Sequence, residues 1–185
     1  MKWNKCNKEN FNPFNNINPR RGTYYLGFSP IDLSEVNEDG DNMKYLQVYH
    51  NAPIHLSLVK PLLLDLIKQY DKSDEINVVY LNNDKTWFDK DTRVSLVNSL
   101  KIQKEIGKTD TVIWYTTENE LKSVELTIDE ALEFLYNLEV YAFKTYNVTQ
   151  THIKAVETID NIEDLMKYNI TTDYPPYIRL TKVVE

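Results

Sequence analysis

Cysteine and glycine are both scarce in this chain of 185 residues, which has one of the first and four of the second. A single thiol, Cys6, excludes an intrachain disulfide and points to a reducing compartment. It sits in a polar stretch with no base nearby in sequence, so it is not read as a nucleophile. With so few glycines there is little material for phosphate-cradling loops, and neither GxxxxGK[ST] nor GxGxxG occurs. Long apolar runs are missing as well. The best candidate, Leu56 to Ile67, is broken by Lys60, Pro61 and Asp65, far from the ~20 residues of a membrane span. The first ten residues, MKWNKCNKEN, lack the apolar stretch of a signal peptide, so the expected location is a cytoplasm or a particle assembled there. Basic excess is absent too: Lys+Arg number 21 against 28 Asp+Glu, a formal charge of -7. That balance argues against nucleic acid or an anionic membrane as the main partner.

Motifs of catalysis are equally thin. His50 and His55 lie five apart around a turn without HExxH, and His152 is distant in sequence. No strained G-x-S-x-G turn exists. The acidic stretch VNEDGDN (36–42) lacks the residue order and closing Glu of a calcium loop, and reads as a solvated turn. No catalytic, cofactor-binding or metal-binding residue is therefore assigned, and no cofactor is expected.

The chain has 42% apolar and 26% charged residues, with 13 tyrosines, the profile of a globular protein with a real core. Its richness in Asn, Lys, Ile and Tyr reflects AT-rich codons. Three consecutive regions are expected. Residues 1–22, with Pro13, Pro19 and sparse aromatics, show no period and read as an extended arm. Residues 23–74 hold strands at 23–29 and 43–50, then a helix from Pro61 to about Tyr70. Residues 75–185 begin with a strand at 75–81 and a turn at NNDKT. A helix capped by Asp89 or Asp91 then runs to Ile106, with Gly107 as its stop. A hairpin of 110–116 and 121–126 around TENE follows. Thr127-x-x-Glu130 is a capping box that opens a long helix over about 128–158. Its inner face is read as Leu132, Leu135, Ala142, Tyr146, Thr149, Ile153 and Val156. A short helix at 162–168 precedes an extended tail, because Tyr174-Pro175-Pro176 forbids more helix. The fold class is α+β: small antiparallel β elements and a helical C-terminal part.

Four pieces of the second half, WFDKDTRVSLVNS (87–99), TVIWY (111–115), LEVYAFKTYNVTQTHIKAV (138–156) and YNITTDYP (168–175), carry a resemblance. In order and spacing they resemble an uncharacterised C-terminal domain of structural and tail-region proteins of phages and prophages of gut bacteria. The match spans about residues 75–180, a little over half the chain. The last piece departs from the family's YDYT-x-GYP-like ending by losing its first Asp and its Gly. The resemblance, with the AT-rich residue usage, implies a virion protein of crAss-like type. It implies no activity, since none is established for the family.

The expected function is accordingly that of a non-enzymatic structural protein in the tail, neck or fibre-attachment region of a bacteriophage virion. Its partners would be other copies of itself and other virion proteins. A fibre-assembly chaperone or adaptor is the alternative, and a glycan-acting hydrolase a third reading. Trp3, Phe11 and Phe14 of the arm and Tyr174 and Tyr177 of the tail are the expected partner-binding residues. One structural pair is also expected. Glu139 falls on the predicted inner face of the long helix, and Arg93 on that of the preceding one. A buried carboxylate needs a partner, so the two should form a buried ion pair. Trp87, Trp114, Tyr141 and Tyr146 read as core aromatics.

Overall fold

The computed structural model describes residues 1–118 and 120–182. Its α+β architecture comprises nine strands, four α-helices and one short 3-10 helix (Lys8–Asn10) among the described residues. In place of three consecutive regions, the chain forms two compact units, each assembled from two stretches: Met1–Asp71 with Val148–Asp173, and Lys72–Asn147 with Tyr174–Glu185.

The first unit is built on a four-stranded antiparallel sheet of β1 (Trp3–Cys6), β2 (Phe14–Asn18), β3 (Thr23–Asp32) and β4 (Met43–His50), in the order β1-β4-β3-β2. Residues 1–22, expected as an extended arm, thus supply both edge strands. They escaped detection because each strand is short and the asparagines between them make turns rather than a pattern. Asn7, Asn12 and Asn18 accept from the backbone N–H groups of Glu9, Phe14 and Arg21. One face of the sheet buries Leu26, Phe28 and Leu46. Helix α1 (Leu56–Asp71) buries Val59, Leu63, Leu66, Ile67 and Tyr70. It begins five residues before Pro61, where the start was expected. The His55 carbonyl accepts from the N–H groups of Leu58 and Val59, and its ring Nδ1 from that of Ser57, so His55 caps a turn that Pro61 does not need to open. Helix α4 (Ile162–Lys167) buries Leu165 and Met166. A bulge in β3 pins the chain after it: Ser29, at φ 50°, donates to the Tyr168 carbonyl at 3.2 Å and accepts from Ile170 N–H at 3.1 Å.

The second unit holds two small sheets. Strands β5 (Val79–Leu81) and β6 (Asp84–Thr86) form a hairpin closed by Asn82 and Asn83, both at positive φ, the geometry of a tight two-residue turn. The expected strand at 75–81 shortens to β5 because the Ser73 carbonyl draws the N–H groups of Ile76 and Asn77 into a turn. The tail returns as β9 (Ile178–Leu180), which pairs parallel with β5. Strands β7 (Asp110–Thr116) and β8 (Leu121–Thr127) make the other sheet; the turn expected between them includes Asn119, outside the described residues. Helix α2 (Lys90–Glu105) is capped by Asp89, which accepts from Thr92 N–H at 2.7 Å. Helix α3 (Ile128–Thr158) is 31 residues long, with residues 128–147 in this unit and 148–158 in the first. Alternation along the β7–β8 hairpin sends Ile113, Tyr115, Val124 and Leu126 inward. They meet Phe88, Leu100, Phe134, Leu135 and Leu138 in one apolar core.

Candidate interaction surface

The expected pair of Arg93 and Glu139 does meet: Arg93 Nε donates to Glu139 Oε2 at 2.8 Å. It is buried on one side only, the Arg93 side chain being 7% exposed and that of Glu139 54%. The guanidinium is satisfied by more than the carboxylate. Its Nη1 donates to the Phe88 carbonyl at 2.7 Å, and its Cζ lies 5.4 Å from the Trp87 ring centroid. Trp87 in turn stands edge-on to Tyr141, 6.2 Å between centroids. The Tyr141 hydroxyl donates to the Ile76 carbonyl at 2.7 Å, and burial pushes its pKa up to about 12.

The half-exposed Glu139 follows from a rotation of α3 relative to the expected inner face. The buried line runs through Ala131, Leu135, Leu138, Thr145, Thr149, His152 and Val156. Tyr146, expected inside, is 54% exposed. Two polar side chains on the true inner line hid it. Thr145 donates to the carbonyl one turn back, at Tyr141, and His152 is held at both nitrogens. A carbonyl only accepts, so His152 Nε2 donates to Thr172 O at 3.1 Å, and Nδ1 hydrogen-bonds the Tyr168 hydroxyl at 2.8 Å.

That rotation exposes a row the sequence reading missed. Tyr136, Val140 and Phe143 are 46%, 53% and 64% exposed, and their spacing of four and three places them on one helical face. Lys101 of α2 lies over Tyr136, 5.9 Å from the ring centroid. Exposed Val94 is two turns before Lys101 on the same face of α2. Glu139 and Lys144 flank the row on opposite sides. Trp114, also expected in the core, is 60% exposed on the outer face of the β7–β8 hairpin with Val112 and Leu121, as alternation with buried Ile113 and Tyr115 requires.

The residues expected to reach other chains are engaged within their own unit. Trp3 pairs with Leu46 across β1 and β4, under the Lys44 ammonium 4.5 Å from its ring centroid. Phe14 pairs with Leu26, and Phe11 packs on Tyr45, 5.0 Å between ring centroids. Tyr174 is half-buried. The Tyr177 hydroxyl donates to the Glu75 carbonyl at 2.8 Å, and its ring meets Tyr80 edge-on at 5.9 Å. Lys182 closes the tail on the capping box, donating to both oxygens of Glu130 at 2.9 and 2.7 Å.

Among the described residues, no three His, Cys, Asp or Glu side chains are grouped to hold a metal ion. His50 Nε2 donates to the Pro53 carbonyl at 3.3 Å. Burial, and then Asp41, push the Cys6 thiol pKa up. In the acidic turn, Asn37 sets the geometry: it receives the N–H of Asp41 at 2.7 Å on Oδ1 and that of Gly40 at 2.9 Å on its carbonyl, and its Nδ2 donates to Asp41 Oδ2 at 3.0 Å. Among the described residues, no helix is long and apolar enough to cross a membrane. No protein family, curated protein or solved structure matches the chain.

Proposed function

We propose that this chain is a non-catalytic structural subunit of a bacteriophage particle, placed in the tail, neck or fibre-attachment region and acting by protein–protein assembly. The phage assignment rests on the four sequence pieces that resemble the structural-protein domain. The observation that carries assembly is the exposed row Tyr136, Val140 and Phe143 on α3. Three large apolar side chains in line on a helix have little use in water and are the usual seam of a helix–helix contact.

A second copy of the chain is the partner that the flanking charges fit. With Tyr136, Val140 and Phe143 as seam positions, Glu139 and Lys144 fall on its two borders, five residues apart. Parallel pairing of two such helices sets each Glu139 opposite the other copy's Lys144. A stable pair buries roughly 800 Å² on each side, more than three side chains supply, so the contact extends over Val94 and Lys101 of α2.

Native mass by light scattering tests this reading. The full chain is expected to run as a multimer, and Phe143→Asp as a monomer with an unchanged far-UV circular-dichroism spectrum, since Phe143 is 64% exposed. A monomeric parent chain overturns self-assembly and shifts the reading to an adaptor or fibre chaperone. A Phe143→Asp variant that stays multimeric removes the α3 row as the interface.

A further inference from the structure

The outer face of the first unit's sheet carries a feature that assembly through α3 does not use. Phe11 lies over Gly27 in the middle of β3, where an added Cβ would meet Phe11 Cε2 at 2.8 Å and Tyr45 Cδ2 at 3.0 Å. Glycine is what lets the ring settle onto the sheet. Held there, Phe11 walls one side of a pocket of about 150 Å³. That is room for several waters, or for one small ring.

The chemistry of the lining is one-sided. Asn10, Asn12, Asn15 and Gln47 bring four carboxamides, and Tyr25 and Tyr45 add two phenols. Cys6 completes the wall, and no Lys, Arg, Asp or Glu lines it. A phosphate or carboxylate ligand would therefore find no cation in the lining, and an ammonium ligand no carboxylate closer than Asp41, which stands behind Cys6 outside the lining. An apolar ligand would displace water from the amides without replacing its hydrogen bonds. Part of the amide capacity is already committed: Asn12 Oδ1 accepts from Phe14 N–H at 2.9 Å, and the Gln47 side chain hydrogen-bonds the Tyr45 hydroxyl. Burial raises the pKa of both the Tyr45 hydroxyl and the Cys6 thiol, so both stay protonated at neutral pH. What remains is a neutral set of donors and acceptors beside aromatic surface. A pyranose matches it, with hydroxyls that both donate and accept around its rim and C–H groups on its faces.

We infer that this pocket binds one neutral pyranose ring, as a free sugar or as the terminal unit of a glycan. The inference is independent of the assembly reading, because none of its residues lies on α3.

Cys6, the chain's single thiol, gives a local reporter. The full chain is titrated with glucose, galactose, mannose, N-acetylglucosamine and their methyl glycosides, following the side-chain amide signals by NMR and the rate of Cys6 alkylation by iodoacetamide. At least one ring is expected to shift the Asn10, Asn12, Asn15 and Gln47 amides and to slow alkylation at millimolar concentration. Asn15→Ala, at an exposed position, is expected to weaken both responses about tenfold with an unchanged thermal midpoint. Response to methyl glycosides as well as free sugars identifies a terminal glycan unit; response to free sugars alone identifies a free ligand. No response to any ring at tens of millimolar, or an undiminished one in a folded Asn15→Ala, Gln47→Ala double variant, overturns the inference.

Discussion

Arg93 and Glu139 are partners of unequal standing. The guanidinium is buried against the Phe88 carbonyl and the Trp87 ring, whereas the carboxylate is half in water. Removing the carboxylate leaves the cation one hydrogen bond poorer but still held. Removing the cation strands a buried carbonyl and opens a gap beside Trp87. Arg93→Ala is therefore expected to cost about 2–3 kcal/mol, and Glu139→Ala under about 1 kcal/mol, in urea titrations of the full chain. Equal losses would show that the ion pair itself, rather than the set of contacts around Arg93, fixes α2 on the core. The sequence announced the meeting of the two residues, because both stand at helical spacing among apolar neighbours. It did not announce the asymmetry. Leu138 and Val140 flank Glu139 with equal hydrophobicity, and which of them turns inward depends on the sheet that α3 packs against.

At the scale of elements, the tail strand β9 is held by three devices: its parallel pairing with β5, the Tyr177 bond to Glu75, and the Lys182 clasp on Glu130. The clasp responds to pH. The Lys182 ammonium first, then the backbone N–H and hydroxyl of Thr127, pull the Glu130 pKa down from 4.5 to about 2. A carboxylate with a lowered folded-state pKa stabilises fully above its unfolded value and loses that contribution as pH falls through its folded one. Amide exchange at Ile178–Leu180, corrected for intrinsic rates, should therefore accelerate between about pH 4.5 and 2. Lys182→Ala should show the accelerated rate already at neutral pH. Exchange that is flat over this range in the parent chain would mean that pairing to β5 alone holds the tail. The capping box Thr127-x-x-Glu130 was legible because it is a local code; its second use, as an anchor for a segment fifty residues on, was not. Parallel pairing of β9 leaves no mark in a tripeptide, Ile-Arg-Leu, that follows two prolines. Strands β7 and β8 sit at the other extreme. Their strict alternation could be read directly, and it also dictates that Trp114 faces outward.

For the molecule as a whole, the placement of residues 1–22 changes what truncation should do. They are both edges of the first unit's sheet, and they cover Gly27 and Tyr45 through Phe11. Deleting them is expected to abolish the cooperative unfolding of that unit in circular-dichroism and calorimetric melts, not merely to impair assembly. A truncated chain with an unchanged melt would restore these residues to the role of a detachable arm. The division of the chain has a consequence for its synthesis. The stretch Met1–Asp71 shares its unit with Val148–Asp173, which supplies Val156, Leu165, Met166 and Ile170 to the buried set. A ribosome adding ~5–20 residues per second needs roughly 5–20 s to travel from residue 72 to residue 173. Throughout that interval the first sheet is made but unfinished, with Leu26 and Phe28 awaiting side chains not yet translated. The unit that comes first in the chain is thus bound to mature late, and the nascent protein offers a sticky β-sheet to the chaperones of the cell that makes it before its own last strands and helices exist.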